Sequence, residues 1–482
     1  VAAFPPSSHR PVHPLETALV GVTALHLCFL PWALGGMHAW TQIVSLGLSI
    51  AGLALALWPR FDESASSTRP PAARLLRFPV FWAGLALLAY VAIQGCNPAW
   101  RFMSDSASWW LVPVSHIPWL PSGVDAPFFR SNPWRALIID ASLWLLVCSV
   151  WAGFLRRRSW RALFSLVAGN GVLVAALGFL EQLSGSDRIF WSYLPSNPSF
   201  AASFIYRNHA GAYFNLVVSI AAGLAWWHSR RAKRGLEGPG PTVIFTFFAF
   251  VAGVMVVFSF SRASIGLLLA FITLMGGSLG IRLFGRRGLM GKRAEFLALL
   301  LPFAAGLGVI LVAVRTQTVW ERFADLAADP ASPDRSRVLV RQATDEMGGD
   351  RRLFGWGAGC FRYGFPLYAQ KYPEIYYSGA EGRRYWEHAH DDLLEFPVEL
   401  GVAGMLPLAA MLGWGIWLLV RHRFWRHPFS LCAVFGGLLL VLHAWVDFVF
   451  QNPAVLLTWG VLMIGAIRWA ELEAPVGHRT KN

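Results

Sequence analysis

Residues 243–260 read V-I-F-T-F-F-A-F-V-A-G-V-M-V-V-F-S-F, without one ionisable side chain. At about 1.5 Å of rise per residue, a helix of this length nearly crosses a hydrocarbon core of about 30 Å. No polar stripe recurs at helical spacing, as it would on a helix bordering water. The segment is expected to be a transmembrane helix, and it sets the scale for reading the rest of the chain.

Working outward, runs of similar length and character fall at 15–34, 40–58, 79–96, 136–155, 162–180, 209–228, 264–281, 295–314, 398–420, 429–446 and 453–471. Of the 482 residues, 55% are hydrophobic and 14% charged, with a mean hydropathy of +0.47. Soluble chains carry about a quarter charged residues, and their buried helices run shorter. The expected fold is all-α, a polytopic membrane protein of about 12 transmembrane helices with one large, mostly helical loop. Its expected organisation is an N-terminal membrane region over 1–314, the loop over 315–397 and a C-terminal membrane region over 398–482. The opening segment is polar and Pro-rich, and the first apolar run lacks a small-residue cleavage site, so that run is expected to stay as a helix.

A formal charge of +14 would suggest nucleic acid in a soluble protein. Here the distribution decides otherwise. Of 41 Lys and Arg, 24 fall on the tails and on connections that follow even-numbered spans, such as Arg156–Arg158 and Arg230–Arg234. The other side holds 17, of which 11 share the 315–397 loop with 13 acidic residues. This is the positive-inside pattern: both termini cytoplasmic, the large loop outside, the bilayer as partner and no nucleic acid.

Three outer segments exceed simple turns: 97–135, 181–208 and 315–397. The first carries Trp100, Trp109, Trp110, Trp119 and Trp134, which suit an interfacial belt or a stacking surface for sugars or headgroups. Among the five scattered cysteines, Cys96 and Cys360 both fall outside, where a disulfide between them is an open alternative.

Charge at the outer helix ends carries the chemistry, because ionisable groups near hydrocarbon are costly. Arg262, in F-S-F-S-R-A-S, sits between two apolar runs, where snorkelling to lipid phosphate is the alternative to a site role. Arg207, in Y-R-N-H-A-G, precedes a helix with Asn208 and His209, so it suits a phosphate seat at a helix N-terminus or plain capping by Asn208. Arg337 and Arg341 are four apart and share a helical face, offering two forks to a diphosphate or one solvated surface. In E-H-A-H-D-D-L-L-E, His388, His390 and Asp391 suit metal ligation by type, although H-x-H alone is a weak signal. They equally suit a general base, His390, oriented by carboxylates, or a polar helix cap.

These four segments, in this order, resemble the O-antigen ligase/polymerase family of multi-pass bacterial membrane glycosyltransferases. His390-Asp391, nine residues, then Gly401-Val402-Ala403-Gly404 is similar to that family's H-[N/S/Q]-x9-G-x-x-G signature, with Asp391 replacing the amide. The stretch from Arg337 through Leu353-Phe354-Gly355-Trp356-Gly357-Ala358-Gly359 to Phe361 resembles its Arg, amphipathic helix and P-L-F-G-x-G-x-G-x-F block. Arg335 with Leu339 fits the R-x3-L spacing of that block as well, so Arg335 and Arg337 both stand as candidates. The helix-end motifs of Arg207 and Arg262 complete a resemblance covering roughly 200–420.

The resemblance implies a donor glycan on undecaprenyl diphosphate, handled at the periplasmic face of the bacterial inner membrane. The acceptor would be a hydroxyl of lipid A-core, another glycan or a protein. It implies Arg207, Arg262 and Arg337 (or Arg335) on the diphosphate and His390 as catalytic base. Support would come from His388, Asp391, Arg341, His209 and Asn208. It implies inverting transfer with no cofactor and no metal, the guanidinium groups supplying the positive charge. O-antigen ligation is the first reading. Polymerisation of O-antigen or exopolysaccharide and protein O-glycosylation are the enzymatic alternatives. A lipid-linked glycan flippase is the alternative from another class, but the spans offer few interior charges beyond Asp140 and His443.

Overall fold

Proline opens many of the helices that the apolar runs lead one to expect. Its fixed φ suits the first turn, and its missing N–H would go unpaired there anyway. The computed structural model describes residues 12–59, 70–105, 108–195, 199–284, 332–377 and 385–473. The N-terminal helices are α1 (Pro14–Trp32), α2 (Ala39–Leu57), α3 (Pro71–Leu76) and α4 (Pro79–Cys96). Strands β1 (Trp100–Ser104), β2 (Trp109–Pro113) and β3 (Val124–Asp125) follow. Then come α5 (Pro133–Gly153), α6 (Arg157–Leu183), α7 (Arg207–Ala232), α8 (Gly240–Phe258) and α9 (Arg262–Phe284). Beyond them are α10 (Ser332–Asp350), the single turns α11 (Phe361–Gly364), α12 (Pro366–Ala369) and α13 (Pro373–Tyr376), and α14 (Asp392–Arg421). The described chain closes with α15 (Pro428–Ala444) and α16 (Pro453–Glu473).

Among the described residues nine helices are long and apolar enough to cross a membrane: α1, α2, α4 to α8, α14 and α16. Arg262–Ser278 and α15 are shorter apolar helices. All the expected spans coincide with these except 295–314, which lies outside the described residues. The chain is an all-α multi-pass membrane protein. Its cysteines, Cys96 and Cys360 included, are free thiols.

The Trp-rich segment folds into a small sheet of order β2-β1-β3, which the apolar runs did not foretell. W-R-F-M-S and W-W-L-V-P pair antiparallel from Trp100↔Pro113 to Ser104↔Trp109. Aromatic and branched side chains favour such a half-buried pleat. Phe102 points inward against Trp109 and Tyr363, while Trp110, Trp119 and Trp134 remain exposed.

Helix α7 is the most deeply buried long helix, and small residues let its neighbours approach. Gly211 packs against Ser259 and Ser264, and Ser219 faces Gly436 of α15. The buried helix therefore holds its first residue, Arg207, at a fixed point.

The loop expected over 315–397 contributes α10, whose buried residues Val340, Ala343 and Met347 form its inward face. The glycine block that follows is clasped onto a break in α14. Gly401, at φ +63° and ψ 178°, interrupts that helix in a conformation costly for any residue with a Cβ. The freed backbone is satisfied across the clasp. Trp356 N donates to Val398 O at 2.9 Å, Gly357 N to Glu399 O at 2.9 Å and Val402 N to Arg352 O at 2.9 Å. The Glu399 carboxylate accepts from Gly359 N at 2.9 Å and Phe361 N at 2.8 Å. From α4, Tyr90 donates to Leu400 O at 2.6 Å, and Gln94 accepts from Ala358 N at 3.0 Å. The clasp anchors the chain on both sides of the His388–Asp391 turn.

Candidate active site

The turn before α14 is held by carboxylates, as a tight polar turn beside apolar helices requires. Glu395, one turn into α14, accepts from His388 Nδ1 at 2.7 Å and from Ala389 N at 2.6 Å. Asp391 is the N-cap, accepting from Leu394 N at 3.2 Å, and it pairs with Arg341 Nη2 at 3.0 Å. The Asp391 carboxylate thus meets a guanidinium here. His390 lies between them at φ +54°, a left-handed backbone that non-glycine residues adopt rarely and that is common at functional sites.

That backbone aims the imidazole at a residue from another part of the chain. His390 Nδ1 is 3.3 Å from Asp447 Oδ1, on the connection between α15 and α16. Asp447 is 1% exposed, whereas the His390 side chain is 26% exposed, so one end of the pair is sealed and the other open. Oδ1 also accepts from Phe448 N at 2.9 Å, and Oδ2 accepts from Asn208 Nδ2. Burial alone would push the Asp447 carboxyl up. The His390 hydrogen bond and the charges of His390, His443 and His209 outweigh it and hold the group below the usual carboxylate range. In the neutral ring, Nδ1 donating to this carboxylate would leave His390 Nε2 as the acceptor nitrogen, the form a general base needs.

Phe448 is the hub of the surrounding rings. His388 stacks on it at 4.6 Å, and Tyr206 does so at 5.2 Å. His390 and His209 meet it edge-on at 4.8 and 5.0 Å. His209 Nε2 is 3.1 Å from the Phe448 carbonyl and Nδ1 is 3.4 Å from Asn452 Nδ2, so both of its nitrogens are engaged. For His388, burial favours the neutral ring, but the Glu395 carboxylate prevails and raises its pKa above 6.5. For Asp391, burial outweighs the Arg341 charge, and the pKa is raised.

Two of the arginines, Arg207 and Arg337, lie near this hub, close enough to act on the Tyr206 hydroxyl. Arg207 is the first residue of α7, and Arg262 the first of α9. Their first turns are packed together through Gly211 against Ser264, with Asn215 Nδ2 donating to Ser264 O at 3.0 Å. Arg337 is exposed on α10, and both it and Arg207 act electrostatically on the Tyr206 hydroxyl, as does Asp447. Arg341, one turn on, is committed to Asp391 and to the Trp445 carbonyl, so it ties α10 to the site. The backbone of Arg335 lies in α10, and its side chain lies outside the described residues.

Asn208, for which capping was one of two alternatives, does not cap α7 but donates to Asp447 and to the Tyr206 hydroxyl, the latter at 2.9 Å. Asp447 and Phe448 are missing from the sequence reading, and Tyr206 and Glu395 stand there only as unnamed members of the Y-R-N-H-A-G and E-H-A-H-D-D-L-L-E motifs. Asp447 had one visible signal, an acid on a short connection between two apolar runs, V-D-F-V-F-Q-N. Among the described residues no three His, Cys, Asp or Glu converge as a metal-ligand set.

The arrangement combines guanidinium groups at two packed helix N-termini with a carboxylate-oriented imidazole. Such a site can seat a phosphate group and take a proton from a hydroxyl. Residues 245–409 match the O-antigen ligase family model. That segment includes Arg262, Arg337, the glycine clasp and His390, while Arg207 and Asp447 flank it. No curated protein matches the chain.

Proposed function

We infer, from a chain that carries an O-antigen ligase segment in a multi-pass membrane fold, that it transfers a glycan from undecaprenyl diphosphate to an acceptor hydroxyl. The acceptor oxygen attacks the anomeric carbon, and the bond from that carbon to the diphosphate breaks. His390 Nε2 takes the hydroxyl proton, and undecaprenyl diphosphate leaves with the electron pair. Displacement from the face opposite the leaving group inverts the anomeric centre. Arg207, Arg262 and Arg337 (or Arg335) seat the diphosphate and stabilise the charge that grows on it at departure. Asp447 holds the His390 ring and stabilises its protonated form.

The reading places this site at the periplasmic face, with both termini cytoplasmic. It keeps the division into membrane regions over 1–314 and 398–482 and a loop over 315–397. The acceptor is first a lipid A-core hydroxyl. The observation that carries the reading is the half-open pair of His390 and buried Asp447 beside Arg207.

The test is the covalent product. The full chain in proteoliposomes is given a purified lipid-linked oligosaccharide and lipid A-core, and the product linkage is read by mass spectrometry and NMR. A glycosidic bond of inverted configuration, with undecaprenyl diphosphate released, is expected. Movement of donor between leaflets without bond formation would contradict the reading.

A further inference from the structure

Helix α7 links two charged poles about 30 Å apart, the span of some twenty helical residues. Arg207 and Asn208 stand at its start, and Trp227, His228 and Arg231 at its end. At that second pole three guanidinium groups converge on one indole. Arg157, Arg161 and Arg231 lie 5.4, 5.6 and 4.9 Å from the Trp227 ring centroid. Arg157 and Arg161 also sit in the first turns of α6, the positive end of a helix, where cations are disfavoured.

The carboxylates at this pole are shared out. Glu473 lies 3.7 Å from Arg157, accepts from Trp227 Nε1 at 3.2 Å and meets His427 at 3.1 Å. Glu237 pairs with Arg231 at 3.2 Å and His228 at 2.6 Å. Among the described residues Arg161 makes no ion pair, and Glu237 acts on it at longer range. The three guanidinium groups on Trp227 thus face two carboxylates among the described residues, and each of these also engages a histidine. Glu16 is taken up by Leu155 N, Arg156 N and Ser159.

The pole also ends an apolar seam. Helices α6 and α8 touch through Gly169 and Phe248, and His228 stacks on Phe245 of α8 at 5.4 Å. On the same two helices Leu166, Leu173, Ile244 and Phe247 are exposed, the lipid-facing surface of a membrane protein. A phosphate-seeking head with an apolar track leading from it is the shape of a phospholipid.

We propose that Arg157, Arg161 and Arg231, gathered on Trp227, bind the phosphate headgroup of an anionic phospholipid whose acyl chains lie along α6 and α8. The site is separate from the reaction proposed at the other pole and holds whatever that reaction is. Guanidinium forks seat the phosphate, and the indole keeps them converged.

Native mass spectrometry of the full chain, titrated with phosphatidylglycerol and with phosphatidylcholine, tests it. The wild type is expected to retain phosphatidylglycerol preferentially. Arg161→Gln should weaken that retention about fivefold, the usual effect of one basic residue at a membrane surface, and leave phosphatidylcholine retention unchanged. Arg161→Lys should restore most of the preference, which separates charge from folding. Equal retention of both lipids by the wild type would overturn the proposal, as would an unaltered preference in a folded Arg161→Gln protein. Inorganic phosphate is the second probe, added to the chain in phosphatidylcholine nanodiscs. Saturable phosphate binding there without a phosphatidylglycerol preference would assign the cluster to a soluble phosphate and overturn the lipid assignment.

Discussion

His390 and Asp447 lie 57 positions apart in the chain and meet through Nδ1 and Oδ1 at 3.3 Å. Because Asp447 is buried and also accepts from Phe448 N and Asn208, its carboxylate cannot turn away from the imidazole. Asp447→Asn keeps the shape and removes the charge. It should lower kcat by about 10²-fold or more, within the range of general-base effects, and leave the KM for the lipid-linked donor nearly unchanged. Initial rates at varied donor concentration check this, and a raised KM at constant kcat would place Asp447 in donor binding instead.

The arginines should show the opposite split. Arg207→Lys keeps a charge at the start of α7 but loses the planar fork that matches a diphosphate. The donor KM is expected to rise about tenfold, as for loss of one charge-assisted pair of roughly 1.5 kcal/mol. Arg341→Lys, at a residue already tied to Asp391 and Trp445, should instead lower the thermal midpoint and spare the donor KM. Donor titrations and melting curves on both variants separate the two roles.

The clasp gives a stability prediction. Gly401→Ala places a Cβ against the Leu353 carbonyl at a positive φ and should destabilise the protein by about 1–3 kcal/mol. Gly413, in the same helix with open space beside it, is the control, and its change to Ala should be neutral or slightly stabilising. Thermal unfolding in detergent, with limited proteolysis of the segment before α14, compares them. Equal midpoints for the two variants would mean that the clasp does not hold the fold.

The His388–Glu395 pair gives a pH prediction. The His388 pKa is raised above 6.5 in the folded protein, because the Glu395 carboxylate prevails over burial. The folded state therefore binds this proton more tightly than the unfolded chain. The pair's stabilisation is fully present below pH 6.5 and is lost as pH rises through the raised value. The stability gap between wild type and His388→Asn should narrow from pH 6 to pH 9 in unfolding titrations. A gap that widened with pH would reverse the assigned charge state.

The membrane fold was legible because run length and charge distribution are local properties of a sequence. Apolar runs marked the helices, and Arg and Lys marked the connections. The small sheet at 100–125 was hidden, since its Trp-rich strands have the composition of an interfacial belt. Arg207, Arg262 and His390 stood out because charge beside an apolar run is costly. That the helices carrying Arg207 and Arg262 meet is a tertiary fact: α7 and α9 pack through Gly211 and Ser264, which no spacing along the chain encodes. Asp447 was overlooked for the same reason. Alone on its short connection it resembles a solvated turn residue, and only the fold buries it beneath His390. The two terminal glycines of the Gly401–Gly404 motif were visible as a pattern, but their purpose was not. Gly401 admits the backbone of the 353–357 block, and Gly404 admits the Tyr90 ring.

The central claim is that His390 takes the acceptor's proton while the arginines hold the diphosphate. Its most direct test is the single-turnover rate of glycan transfer by His390→Ala in proteoliposomes preloaded with donor. Insertion and donor binding are verified on the same sample. The account predicts donor affinity within about twofold of the wild type, a difference below the worth of one hydrogen bond, and a transfer rate lower by about 10²–10⁴-fold. Transfer at the wild-type rate by a protein that binds donor normally would contradict it.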